Sequence, residues 1–326
     1  MGDHTSTPGE QSVHLVVTCA NRKRGSLSST LRARELPPGQ DTQARCHDWI
    51  RRLAAGVATT RAADLYAGEY WQVAKQLGQV VGPAASMWVC SAGYGLMPED
   101  AHIAAYAATF AFGQKDSVAS TTDDARRWWG TLAEWTGPAP GAPRTFTDLA
   151  ASNPDAVVIA VMSDAYLRPC AYDLQRAAEK LADPDNFVII GPGRRYPGLE
   201  DFIVPVSAAV QPAVGGSLLS LHARAARRVL EMARKQHKPF ARPALAVLMK
   251  ELRESAPPAV SRVPGARLSD HEVSAFIRAA MAEEVGPVSA TKLLRRLRSS
   301  GQSCEQARFK GLFQEIMQED ASKDWS

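Results

Sequence analysis

Reactive side chains concentrate where apolar runs of this chain give way to glycine. The first such place is Cys19-Ala-Asn-Arg-Lys-Arg-Gly25, directly after the apolar stretch Val13-His-Leu-Val-Val-Thr18. It joins a thiol, the carboxamide of Asn21 and the cations Arg22, Lys23 and Arg24 to a flexible glycine, a composition suited to a phosphate or the polar edge of a base. A charged surface turn is the bland alternative, and the position straight after a buried strand favours a site. The second place is Ser91-Ala-Gly-Tyr-Gly-Leu-Met-Pro-Glu-Asp100, after the apolar residues Met87 to Cys90. Gly93 and Gly95 allow a sharp turn and close approach of backbone to a ligand, while Ser91, Tyr94, Asp100 and, further on, Tyr106 supply hydroxyls, rings and a carboxylate. Between the two lies a stretch with Asp64, Tyr66, Tyr70 and Trp71, which suits a pocket wall and equally suits core packing. Asp164, in Met162-Ser-Asp-Ala-Tyr166 after a third apolar run, adds another carboxylate.

These residues need a frame that brings strand ends together. Continuous apolar runs at 13–18, 87–90, 156–161 and 187–190 predict strands covered on both faces. They alternate with helical patterns at 42–58, from the 61–71 stretch to about 77, at 122–135, and from the 162–166 exit to about 181, so the spacing predicts a three-layer α/β domain with a mostly parallel sheet over 12–214. Ligands of such sheets bind at the carboxyl ends of the strands, where both glycine-bearing exits fall. Residues 26–42 lack periodicity and are expected to form a long loop closing over the site, and residues 1–11 a disordered tip.

From Gly215 the strand signal vanishes. A basic helix over 217–235, with Arg224, Arg227 and Arg228, and a second helix over 242–253 form an expected basic extension at 215–254. A linker follows at 255–268, with Pro-rich residues. Ser269 and Glu272 have capping-box spacing and open a final all-helical module over 269–326, broken at Gly286-Pro287. Lys292, Arg295 and Arg296 on its second helix and Arg308 and Lys310 on its third suit a helix-turn-helix or winged-helix reader of duplex DNA, against a plain three-helix bundle.

The 326 residues are 45% hydrophobic and 22% charged, as in ordinary globular proteins. Residues 215–326 carry 19 Lys and Arg against 12 Asp and Glu, and residues 1–214 carry 19 against 22, so a polyanion partner belongs to the C-terminal part. No apolar run is long enough to span a membrane, and the first residues lack the basic-then-apolar order of a signal peptide, so a cytoplasmic location is expected. The five cysteines include no C-x-x-C pair, which argues against a disulfide framework or a zinc knuckle, and no metal or cofactor is expected.

The string Cys19-x-x-Arg-Lys23, then Asp64-Leu-Tyr66, then Ser91-Ala-x-Tyr-Gly-Leu96 with Pro98, Ile103 and Tyr106, resembles a bacterial family related to the peroxide-stress protein YaaA, over roughly residues 13–110. That family looks like a relative of uracil-DNA-glycosylase-type α/β folds and of base-exchanging tRNA enzymes. Some members are associated with phage defence, and one group excises glucosylated hydroxymethylcytosine from phage DNA. The resemblance implies a nucleobase or nucleoside ligand and a DNA glycosylase acting on modified double-stranded phage DNA. A flipped base would enter between the exits at 19–25, 64–71 and 91–100. Asn21 or Asp100 would position the attacking water, Asp64 would hold the pocket or the base edge, and Tyr66 or Tyr94 would stack on the base. Arg22, Lys23, Ser91, Tyr106 and Asp164 complete the expected base and sugar contacts. Gly93 departs from the family motif, which often has a basic residue there, so the contact such a residue would make has no side chain at this position. Two other classes stay open: a non-enzymatic DNA-binding stress protein, and a nucleotide-processing or base-exchange enzyme. Release of free base separates them.

Overall fold

A computed structural model describes residues 11–258, 266–283 and 288–323. The expected tip up to residue 10, the middle half of the expected linker and the expected break at Gly286-Pro287 lie outside the described residues. The chain divides into two compact units, Met1–Pro258 and Ala259–Ser326.

In the first unit the strands are β1 Val13–Thr18, β2 Thr60–Arg61, β3 Ala85–Ser91, β4 Gly95–Pro98, β5 His102–Ile103, β6 Val157–Val161, β7 Phe187–Pro192 and β8 Ile203–Val206. Six of them form one sheet in the order β4-β3-β1-β6-β7-β8. All neighbours are parallel except β3 and β4. The unit is therefore α/β with a mostly parallel sheet. Every residue of β6 is buried, as its unbroken apolar sequence requires of a central strand with both faces covered. β2 and β5 pair separately as a short antiparallel ladder.

Helices cover both sides. Glu69–Ala74, Gln76–Val81, Leu221–Lys235 and Arg242–Glu254 form one layer, with Gln76–Val81 on β3 and β1 and the last two on β6 to β8, while Thr42–Ala55, Thr122–Glu134, Phe146–Ser152 and Asp164–Ala178 form the other layer. Side chains of Asp41, Thr121 and Thr145 accept from backbone N–H groups three residues on and fix three of these helix starts. The winding reverses between β1 and β6, which opens a crevice beyond their carboxyl ends.

Three expectations change. The stretch 91–100 is not an open loop. Ser91 Oγ accepts from the N–H groups of Gly93 and Tyr94 at 3.0 and 3.1 Å, Gly95 turns the chain with φ +74°, and β4 then runs back along β3. Leu96-Met97-Pro98 is too short to show a period, and its proline is tolerated because β4 is an edge strand. Residues 26–42 are not one irregular loop: Ser29–Leu31 and Ala33–Glu35 form short 3-10 helices, docked where Ala33 N–H donates to Ala107 and Ala107 N–H to Leu31, both at 2.8 Å, with Leu31 and Ala33 buried. The helices at 221–254 are part of the core, not an extension, since Leu221, Val229, Leu230, Leu245 and Leu248 join the same buried cluster as the sheet.

The second unit packs Asp270–Glu283, Ala290–Ser299 and Gln306–Lys323 around Val273, Ile277, Leu293, Leu297, Phe309 and Ile316. It is not all-helical, because two-residue strands β9 Ala266–Arg267 and β10 Gln302–Ser303 pair in parallel. Strands this short carry no periodic signal. The expected capping box forms, Ser269 N–H donating to Glu272 Oε2 at 2.8 Å and Glu272 N–H to Ser269 Oγ at 3.3 Å.

Candidate functional site

The exit of β1 is bound on both sides. Thr18 Oγ1 is hydrogen-bonded to Tyr70 Oη at 2.8 Å, and Cys19 Sγ to Tyr166 Oη at 3.0 Å. Residues 22–24 then run extended along 65–67, with Ala67 N–H donating to Arg22 and Arg24 N–H to Leu65. Gly68, at φ +93°, turns that partner segment into the next helix. This ladder fixes Lys23. Its Nζ sits 4.2 Å from the Tyr106 ring centroid and 5.6 Å from that of Tyr66, and donates to Ala20 O at 3.0 Å. Burial pushes the Lys23 ammonium below the ordinary lysine range, partly opposed by the nearby Cys19 and Asp116.

Beneath Lys23 lies a floor of neutral hydroxyls. Tyr106 Oη is 2.6 Å from Ser91 Oγ and 2.9 Å from Tyr66 Oη. Burial drives the Tyr66 and Tyr106 phenols well above their usual range, and that of Tyr94 to about 12, so all three stay protonated at neutral pH. Indole N–H groups clamp the turn above: Trp49 donates to Gly93 O and Trp128 to Ala92 O, both at 2.8 Å. A Cβ at Gly93 would fall inside the Tyr106 ring's contact distance, so the space a basic residue would occupy belongs to that ring.

Lys23 also borders a cavity of about 370 Å³ lined by Asn21, Thr109, Gln114, Lys115 and Asp116, among others. Asp116 is oriented by Arg34, whose Nε donates to Oδ1 at 3.1 Å. The far wall is irregular backbone, with Thr109 N–H donating to Asp116 O and Val118 N–H to Thr109 O. The arrangement can bind a polar ring edge, donate to a developing anion through Lys23, and hold a water or a cationic centre at Asp116. Among the described residues no three His, Cys, Asp or Glu side chains converge as a metal site, and no helix is long and apolar enough to cross a membrane.

The structure thus brings Asn21 and Lys23 to one cavity, whereas Ser91, Tyr66 and Tyr106 are buried behind Lys23 rather than exposed in the cavity for stacking. Tyr94, also buried, donates to and accepts from the Ala104 backbone. Arg22 is exposed and lies against Gly68. Asp64 is half-exposed and paired with Arg61 at 2.7 Å. Asp100 is exposed beyond the far end of β4, where Glu99 N–H donates to Met87, and so lies away from the β3 exit. Asp164 is held by Arg168 at 2.9 Å, by Arg194 and by the Tyr196 hydroxyl.

Of the expected DNA contacts, Arg224 pairs with Glu69 at 3.0 Å, Arg227 with Glu231 and Gln76, and Arg228 with Glu231. In the second unit Arg296 pairs with Glu283 and Arg308 with Asp270, while Lys292, Arg295 and Lys310 lie on exposed helix faces. Sequence reasoning missed Thr109, Gln114 and Asp116. Their only local signal is the polar Gly113-Gln-Lys-Asp116 set after the Ala-rich stretch. No protein-family model, curated protein or solved structure matches the chain.

Proposed function

We propose that the chain hydrolyses the N-glycosidic bond of a bulky, modified base in DNA, on a frame related to that of the uracil-DNA glycosylases. The observation that carries this reading is the convergence of a carboxamide, an ammonium and a carboxylate, from Asn21, Lys23 and Asp116, on one cavity beyond the carboxyl end of β1. A flipped base enters with its polar edge toward Asn21. As the bond to C1′ breaks, its electron pair moves onto the base, and the Lys23 ammonium donates to the base oxygen that takes up the charge. The sugar becomes cation-like beside Asp116, which also holds the water. That water adds to C1′ and gives its proton to the carboxylate. The buried phenols contribute no proton. They hold the Lys23 stem in place and keep water off one side of it.

The likeness of the three loops to glucosylated-base glycosylases names the first substrate to test. Phage DNA with glucosylated hydroxymethylcytosine, the same DNA without sugar, and uracil-containing DNA are incubated with the protein and probed for alkali-labile abasic sites. The expected result is fastest release from the glucosylated DNA. Uracil release at an equal or higher rate overturns the substrate, and no release from any of them leaves DNA binding without chemistry.

A further inference from the structure

A second cavity, larger than the one at Lys23, lies nearby in sequence. It encloses about 620 Å³ and is rimmed by Arg24, Arg52, Ser26, Ser28, Thr30 and Thr59, over an apolar floor that includes Leu65 and Ile103. No carboxylate lines it. Arg52 is already oriented, by Asp48 at 2.8 Å and by donation to Thr30 O at 3.3 Å. The Arg24 guanidinium makes no hydrogen bond or ion pair among the described residues. The hydroxyls of Ser28 and Thr30 bond only to each other, at 2.8 Å, which leaves acceptor and donor capacity on the rim. Guanidinium and hydroxyl groups without a competing carboxylate select an anion with several oxygens, and an apolar floor beneath them suits the face of a sugar or base.

The position of this cavity ties it to the site. Lys23 and Arg24 are consecutive residues of one extended segment, so their side chains point to opposite sides of it. Lys23 lines the smaller cavity and Arg24 the larger. The segment paired with 31–33 also reaches both cavities, Ala104 and Ala105 lining the larger and Ala107 and Ala108 the smaller. We propose that the larger cavity holds the nucleotide next to the target, with Arg24 on its phosphate. The inference rests on the glycosylase reading for its biological strand, and on Arg24 and the rim for its chemistry. The same phosphate chemistry could come from a DNA strand or from a free nucleotide.

The test uses the full chain and probes that contain no modified base, so it needs no turnover. A short fluorescent oligothymidylate is titrated by anisotropy over a range of salt, and thymidine 5′-monophosphate is titrated by calorimetry. Arg24→Glu is expected to weaken the strand at least about tenfold, as loss of a charge-assisted contact does, and to lower the log–log salt slope by about 0.7 or more. Arg24→Lys is expected to recover most of the affinity. Lys250→Glu, on the Arg242–Glu254 helix, serves as a control of equal charge change and is expected to have little effect. Arg24 dependence for the monophosphate alone assigns the cavity to a free nucleotide. Equal affinity of wild type and Arg24→Glu for both probes, or no binding of either by the wild type, overturns the inference and leaves the abasic-site assay with its own separate outcome.

Discussion

Lys23 is the residue on which the proposed chemistry turns, and its surroundings set its pH behaviour. Its folded-state pKa lies below the ordinary 10.5 because burial penalises the charge. The folded protein therefore releases this proton before the unfolded chain does, so stability rises with pH between the lowered value and 10.5, while the donor needed for base departure is lost. Base release is expected to fall on the alkaline side beginning below 10.5, with this limb absent from the residual activity of Lys23→Met. Single-turnover rates at saturating enzyme measure it. Lys23→Met and Asp116→Asn are each expected to slow release by about 10²-fold or more, while Asp100→Asn, exposed beyond β4, stays near wild type. Equal losses in all three would move the site. Gly93→Ala forces a methyl group against the Tyr106 ring and is expected to cost about 1–3 kcal/mol in urea unfolding. Asn21 and Lys23 were legible in the sequence because they follow an apolar run directly. Asp116 was not, since only the backbone pairing of 109–118 and the distant Arg34 bring it to the same cavity.

At the level of elements, the parallel strands were legible because burial on both faces demands unbroken apolar sequence. β4, β8 and the two-residue pairs were not, because their lengths fall below any period. The arginines of Leu221–Lys235 misled for a different reason. Charge alone marks them as a polyanion surface, yet Arg224 meets Glu69, Arg227 meets Gln76 and Arg234 donates to Val80 O, so the helix uses them to grip the Glu69–Val81 layer. Glu69 is held at about 2 by Ser220, Ser217 N–H and Arg224, against an ordinary 4.5. A depressed carboxylate stabilises above its unfolded pKa and loses that contribution as pH falls, so the difference in urea midpoint between wild type and Glu69→Gln is expected to shrink from about pH 5 toward pH 2. A difference independent of pH would show that the carboxylate charge is not what joins the two helices. Arg144, buried and lowered to about 10 by that burial, donates to the carbonyls of Tyr94, Leu96, Leu132 and Trp135 and so pins the β3–β4 turn. Arg144→Ala strands these acceptors and is expected to cost about 2–4 kcal/mol.

For the whole molecule the boundary after Pro258 matters more than the change in composition at Gly215. A chain ending at Pro258 is expected to keep its thermal unfolding midpoint and its base release, and to lose the part of its DNA affinity that is steepest in salt, measured by anisotropy on a duplex. A chain ending at Gly215 lacks the helices that bury Leu221, Val229, Leu230 and Leu248, and is expected to fail to fold. Retention of a cooperative transition in that shorter chain would show that the sheet closes without them. Those same helices govern how the protein is made. β1 emerges first but lies between β3 and β6, so it waits for partners encoded far downstream, and one apolar side of β6 to β8 stays wet until Leu221–Lys235 and then Arg242–Glu254 have cleared the ribosome. At about 5–20 residues per second this leaves a window of several seconds in which the nascent sheet is a ligand for chaperones, or for a neighbouring nascent copy of itself.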